Sequence, residues 1–348
     1  MKNKTRSAAR PSSASAVRDA EKTIALLPEL IKQDKFGVVN IQRALNCDVL
    51  TAMKIYRALL TDGDAMSVEK NFFELNGKDK ILYLKRLISD RFASGECMTE
   101  EMSERAEREL ISIEHGNMAD TFLFAHSVAG ILREMTDKPR FVGIGCCSVV
   151  AYLIGITGEA PDPIGRGLIF ERGFGGSVCP ETPFSFYVPE NELAMLEKKV
   201  QKSFADARLE KQGDELIISA AGAHVGILDS MLSLHRICDH AERSVCTSGH
   251  AVFQEDYMHL LHYVGGYSYE EANRIRRAIG KRKYDEIEEY RIGFMRGAAP
   301  ILPPAESGRL FTEIVAELGG AYCKAYVLSA KAVLDAHFPS RCAALPLS

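Results

Sequence analysis

The stretch Ser148-Val149-Val150-Ala151-Tyr152-Leu153-Ile154-Gly155-Ile156-Thr157 carries the strongest indication of the fold. It follows a short loop that contains Gly143 and Gly145. A glycine-rich loop before a helix can gather backbone N–H groups around an anion. Here Ile144, Cys146 and Cys147 fill the loop, so we favour a buried turn from a strand into a helix.

Composition places the chain among ordinary globular proteins. Its 348 residues are 46% hydrophobic and 26% charged. A formal net charge of -4 gives no overall nucleic-acid signature, so any DNA contact must come from local basic patches. The 9 cysteines are scattered, and neither a secretory signal nor a membrane span is visible. We therefore expect a soluble, cytoplasmic protein with reduced thiols and no membrane partner.

The first part of the chain predicts a tail followed by a small helical module. Residues 1–19 are basic and rich in Ser and Ala, which indicates a disordered tail that is either solvated or in weak contact with phosphates. Residues 20–75 show helix, turn and helix spacing, which is typical of a helix-turn-helix DNA-binding unit. Lys54 and Arg57 would lie on the exposed side of its second helix. A module that docks a protein, or packs internally, gives the same spacing.

Three stretches, one of which contains Ser148–Thr157, resemble the bacterial family C replicative DNA polymerases, the DNA polymerase III alpha subunits. The resemblance covers about residues 80–345, with a large deletion between Val188 and Val252. It implies a predominantly helical α+β fold with a reduced palm at 76–250 and helical fingers at 251–348. The matching segments are 107–114 with 119–123, 142–172, and 252–255 with 265–283.

The resemblance also implies that residues needed for catalysis have been lost. Active family members hold two Mg²⁺ ions through acids on a strand, and such metals stabilise the attacking and leaving oxygens. In this chain Phe184 and Phe186 stand at the acid positions, on an alternating segment that still predicts a strand. Asp229 is a candidate remnant of a third acid. We therefore expect no cofactor and no bound metal.

A basic cluster in the fingers-like region is better preserved than the acids. Lysine and arginine there can neutralise DNA phosphates. The alternative is a solvated face paired with the acids that follow, Asp285, Glu286, Glu288 and Glu289. A weaker match near the carboxyl terminus adds a lysine. The candidate nucleotide- or DNA-binding residues are Arg276, Arg277, Lys281, Arg282, Lys283 and Lys324.

One histidine- and cysteine-rich segment, residues 235–250, contains the ligand types of a zinc site. Its spacing matches no recognised pair of zinc knuckles, so we do not favour metal binding there.

The favoured function is a catalytically inactive relative of the polymerase that binds DNA or a replication-related partner. Two alternatives remain: an active DNA-directed nucleotidyltransferase with replacement metal ligands, and an adaptor that binds only proteins.

Overall fold

The computed structural model describes residues 72–93, 99–158, 162–175, 182–212, 215–230 and 253–338. The chain divides into two compact units, one comprising 1–70 with 85–107 and the other 71–84 with 108–348. The predicted basic tail and helix-turn-helix module, including Lys54 and Arg57, lie outside the described residues, as does the histidine- and cysteine-rich segment.

The described residues form an α+β fold dominated by helices, as predicted. Eleven α-helices and five strands are present in this part of the chain. In chain order they are α1 (Gly77–Ala93), α2 (Glu100–His115), α3 (Ala119–Met135), β1 (Phe141–Val142), α4 (Val149–Leu153), α5 (Phe170–Phe174), β2 (Ser185–Tyr187), α6 (Glu190–Ser203), β3 (Arg208–Gln212), β4 (Glu215–Ala220), β5 (Ala223–Leu228), α7 (Gln254–Tyr263), α8 (Tyr269–Gly280), α9 (Tyr284–Ala298), α10 (Pro304–Leu318) and α11 (Lys324–His337).

The five strands form one mixed sheet in the order β1-β2-β5-β4-β3. Strand β2 pairs antiparallel with β1, where Phe141 lies opposite Phe186, and parallel with β5, where Ser185 lies beside Gly226. Strands β3, β4 and β5 form an antiparallel meander. The two-residue turn between β4 and β5 has positive φ at Ala221 (47°) and Gly222 (83°), which matches the backbone twist of a tight hairpin.

A cluster of phenylalanines packs between the sheet and α3. The Phe184 ring meets Phe122 edge-on, with 4.9 Å between ring centroids, and lies 6.0 Å from Phe174. The Phe141 ring meets Phe186 edge-on at 5.9 Å. Helix α3 packs against β5. Aromatic packing around Phe184 and Phe186 therefore holds strands β1 and β2 in place.

Helices α7 to α10 build a second core of their own. Phe294 and Phe311 are fully buried in it, with ring centroids 5.3 Å apart. Helix α8 begins at a capping box, in which Ser268 Oγ accepts from the Glu271 N–H and the Glu271 carboxylate accepts from the Ser268 N–H. This core fixes the direction of α8, which carries Arg276 and Arg277 and leads into the turn that holds Lys281, Arg282 and Lys283. None of the helices in the described ranges is long and apolar enough to cross a membrane.

Candidate functional site

The two phenylalanines at the predicted acid positions are core residues. Phe184 is 0% exposed and Phe186 is 1% exposed. Phe186 lies in β2, and Phe184 directly precedes it, so the predicted strand is confirmed. Neither side chain offers an oxygen to a cation, and both are covered by other aromatic rings. This end of β2 is thus a packing surface.

Asp229 lies just beyond the end of β5. The parallel register pairs Phe186 with Ile227, and the Val188 N–H donates to the Leu228 carbonyl at 2.9 Å. Asp229 therefore follows the last paired residue of β5, and its side chain is exposed. In the described ranges, no group of three or more His, Cys, Asp or Glu side chains is arranged to hold a metal ion.

The Gly143–Cys147 loop is a buried turn, as the sequence predicts. Residues Ile144–Cys147 form one short 3-10 turn between β1 and α4, and all four are buried. The Gly145 N–H donates to the Pro183 carbonyl at 2.9 Å. A methyl group at Gly145 would overlap the Phe184 ring. The loop is therefore closed by Phe184, one of the two phenylalanines that the family resemblance places at acid positions.

Glu109 supplies the carboxylate to which the backbone N–H groups after this loop donate. Its carboxylate is 2% exposed. It accepts from Ser148 Oγ at 2.6 Å and from the N–H groups of Val149 and Val150, each at 3.0 Å. The N–H groups in the first turn of α4 thus already donate to an internal carboxylate. They are not free to bind an external anion.

Glu255 plays the same part for α11. It is 0% exposed and accepts from the backbone N–H of Lys324 at 2.8 Å and of Ala325 at 3.3 Å. The Cys323 thiol also donates to Glu255, at 3.3 Å. Burial first, and then the Glu255 charge, raise the pKa of Cys323 to about 12, so this thiol stays protonated. The Lys324 ammonium lies 3.7 Å from Asp256.

Arg276 belongs to the interior side of α8. Its Nε donates to Asn273 Oδ1 at 2.9 Å, and Asn273 donates to the carbonyls of Glu171 and Gly175. Burial, and then the neighbouring charges of Arg172 and Arg277, lower the pKa of Arg276 to about 10. Arg276 therefore does not share the surface of the other candidates, although the sequence places it among them.

The other basic residues of α8 and the following turn face water. Arg274, Arg277, Lys281 and Arg282 are exposed. Lys283 pairs with Glu286 at 2.5 Å, and the neighbouring Glu288 pairs with Arg291 at 2.8 Å. Among the residues that the structure describes, no carboxylate lies within ion-pair distance of those four exposed side chains. We call Arg274, Arg277, Lys281 and Arg282 the basic surface.

Comparison with known proteins places this helical region in a polymerase family. Residues 239–300 match the model of the bacterial DNA polymerase III alpha subunit finger domain. The chain is 34% identical over 100 residues to the DNA polymerase III subunit alpha of Thermus aquaticus. The aligned stretch covers 27% of this chain and 8% of that protein. It is 40% identical over 75 residues to the DNA polymerase III subunit alpha of Caulobacter vibrioides. That stretch covers 21% of this chain and 6% of the relative.

A third relative, the DNA polymerase III subunit alpha of Borreliella burgdorferi, is 44% identical over 52 residues, or 15% of this chain and 4% of that protein. The matched stretches thus span less than a tenth of each relative. The chain is related to the bacterial family C DNA polymerases, of which it matches a part. The three relatives are DNA polymerase III alpha subunits. The family model that matches residues 239–300 describes the finger domain of such subunits.

Proposed function

We propose that this chain is a non-catalytic, DNA-associated relative of the DNA polymerase III alpha subunit. The basic surface of α8 carries the proposal. Its four exposed cations project from the region that matches the finger domain and have no ion-pair partners in the described part of the chain. A basic patch of this kind neutralises phosphates and releases counterions, which gives sequence-independent affinity for DNA.

The distribution of the acids supports this proposal over a solvated face. If Asp285, Glu286, Glu288 and Glu289 neutralised the basic cluster, ion pairs would link them to it. One such pair forms, Lys283–Glu286, and Glu288 pairs with Arg291 instead; no ion pair in the described part of the chain links these acids to Arg274, Arg277, Lys281 or Arg282. The basic surface therefore keeps its charge.

Burial of Phe184 and Phe186 supports a function without nucleotidyl transfer. Restoring acids at these positions would require carboxylates inside an aromatic core, where an unpaired charge is costly. The strand that positions metal ligands in active relatives here contributes side chains to packing. We therefore assign binding to the chain and leave metal-dependent chemistry out of the proposal.

The salt dependence of DNA affinity tests the proposal. The full chain and a variant carrying Arg274→Gln, Arg277→Gln and Lys281→Gln would be titrated onto a labelled DNA duplex by fluorescence anisotropy at several salt concentrations. We expect weaker binding by the variant. Its plot of log affinity against log salt should also be flatter, by roughly 0.9 for each phosphate that the variant no longer neutralises.

A matched variant separates local contact from net charge. Lys198, Lys202 and Lys211 are exposed and lie on α6 and β3. Changing these three to Gln removes the same charge elsewhere, and we expect the salt slope to stay near that of the unaltered chain. Equal slopes for both variants would contradict the proposal and favour an adaptor that binds proteins only.

The amino-terminal residues are proposed as a second contact. In the helix-turn-helix hypothesis, Lys54 and Arg57 lie on the second helix, which presents side chains to the major groove. We expect Lys54→Ala with Arg57→Ala to weaken duplex binding and leave the unfolding free energy within about 0.5 kcal/mol. A loss of folding without a binding defect would place them in an internal interface.

A further inference from the structure

Two histidines and two tyrosines form a compact set of rings where α7 joins α8. We call His259, His262, Tyr263 and Tyr269 the aromatic group. The His262 and Tyr269 rings stack with 4.2 Å between centroids and 28° between planes. The His259 and Tyr263 rings are nearly parallel, at 5.9 Å and 17°. The rings thus form two stacked pairs that share one surface region.

Hydrogen bonds fix three of these rings, those of His259, His262 and Tyr269, before any ligand arrives. His259 Nδ1 lies 2.8 Å from the Tyr269 hydroxyl, and its Nε2 lies 3.0 Å from the Gly167 carbonyl. His262 Nδ1 lies 2.6 Å from the Tyr267 carbonyl. A carbonyl only accepts, so His259 Nε2 and His262 Nδ1 carry the hydrogens. Both edges of His259 are therefore held, and its ring cannot turn freely.

The outermost ring of the group, that of Tyr263, is exposed to solvent. Tyr263 is 69% exposed, although it is stacked on a fixed histidine. Its position at the last residue of α7 presents the ring beside the turn into α8. A rigid aromatic face with a wet outer side is the arrangement that a flat, apolar ligand ring can cover.

We propose that the aromatic group, with Tyr263 outermost, stacks a base of single-stranded DNA. This inference rests on the proposed function, and it adds the form of DNA that the chain prefers. Every base has a π-face, so stacking on tyrosine or histidine is tolerant of sequence. The faces of bases inside a duplex are covered by their neighbours, so only an unpaired strand offers them.

Two arginines near the aromatic group fit the same ligand, although Glu270 and Glu271 lie between them and Tyr269 in the first turn of α8. Arg274 and Arg277 follow Tyr269 on α8, at roughly 7.5 and 12 Å along the helix axis for a rise of 1.5 Å per residue. Both side chains are exposed. A short unpaired strand can therefore lay a base on Tyr263 while its phosphates reach the basic surface. Aromatic platforms beside a basic track are the usual means of binding single strands.

Two oligomers of equal length separate stacking from charge. One is a labelled oligodeoxythymidine, and the other is an abasic strand with the same phosphates and no bases. With the full chain, we expect Tyr263→Ala and Tyr263→Leu to weaken oligodeoxythymidine binding about tenfold, since each base–aromatic stack contributes on this scale. Tyr263→Phe keeps the ring and should stay within about twofold. Affinity for the abasic strand should not change in any of the three.

The opposite results are equally clear. Unchanged oligodeoxythymidine affinity in Tyr263→Ala, or an equal loss for the abasic strand, would overturn the stacking proposal. If the unaltered chain binds both strands equally well, stacking fails while the basic surface stands. If it binds neither strand nor duplex, the proposed function fails together with this inference.

Discussion

The ring of Phe184 packs edge-on against Phe122 on α3, with 4.9 Å between their centroids. Both side chains are 0% exposed. In active relatives of this family, an acid that binds metal is expected where Phe184 stands. The contact therefore completes the core between the sheet and α3 at a position where the family resemblance predicts a metal ligand.

Returning an acid to position 184 should destabilise the protein. Phe184→Asp loses the aromatic packing and buries a carboxyl group among rings, so we expect a loss of at least about 3–5 kcal/mol in unfolding free energy. Urea denaturation measures it. Phe184→Leu is the control and should cost far less, about 1.5 kcal/mol or less. An aspartate tolerated without loss would show that this position reaches water.

Gly145 and Phe184 should be energetically coupled. A methyl group at Gly145 meets the Phe184 ring and lies 3.0 Å from the Pro183 carbonyl, so Gly145→Ala should cost about 1–3 kcal/mol. Combining it with Phe184→Leu should recover part of that cost, and a double-mutant cycle measures the coupling. Gly77→Ala is the control, because nothing lies within 4 Å of its added carbon. Strict additivity would contradict the contact.

Removing the Glu255 carboxylate should loosen α11. The N–H groups of Lys324 and Ala325 would lose their acceptor, and each unsatisfied buried donor costs about 1–3 kcal/mol. We expect Glu255→Ala to lower the urea midpoint strongly, and Glu255→Gln to lower it less because one acceptor oxygen remains. Glu270 is exposed on α8. Glu270→Ala should change stability by no more than about 0.5 kcal/mol. Similar effects of the Glu255 and Glu270 variants would contradict the capping role.

Stability should fall as the solution is acidified below neutrality. His126 Nδ1 lies 2.7 Å from the Ile154 carbonyl, and burial lowers the pKa of this histidine below its usual 6.5. The unfolded chain then binds the proton more readily, so this contribution is present above pH 6.5 and is lost as the pH falls below it. Urea unfolding between pH 7.5 and pH 5 measures the loss. His126→Gln should flatten the profile. A profile as steep as that of the unaltered chain would contradict this.

Much of the fold could be predicted from local pattern. The alternation around Phe184 and Phe186 predicts a strand because side chains in a strand point to opposite faces in turn, and β2 lies there. The apolar filling of Gly143–Cys147 predicts a buried turn, and the structure has one. Both predictions depend only on neighbouring residues.

Long-range partners could not be predicted in the same way. Glu109 and Glu255 look like ordinary helix acids in the sequence, because their partners Ser148 and Lys324 lie 39 and 69 residues away. Arg276 and Arg277 are adjacent and chemically identical. Only the placement of Asn273 against the segment at Glu171 and Gly175 shows that Arg276 is on the covered side of α8. Spacing predicted a basic helix but not which of its charges remain accessible.

A primer-extension assay tests the central claim most directly. The full chain would be incubated with a primed template and nucleotides, in Mg²⁺ or Mn²⁺, at a protein concentration where anisotropy shows the DNA to be bound. We predict a bound primer that is not extended. Metal-dependent extension that Asp229→Ala abolishes would contradict the account, because it would show that replacement carboxylates support nucleotidyl transfer.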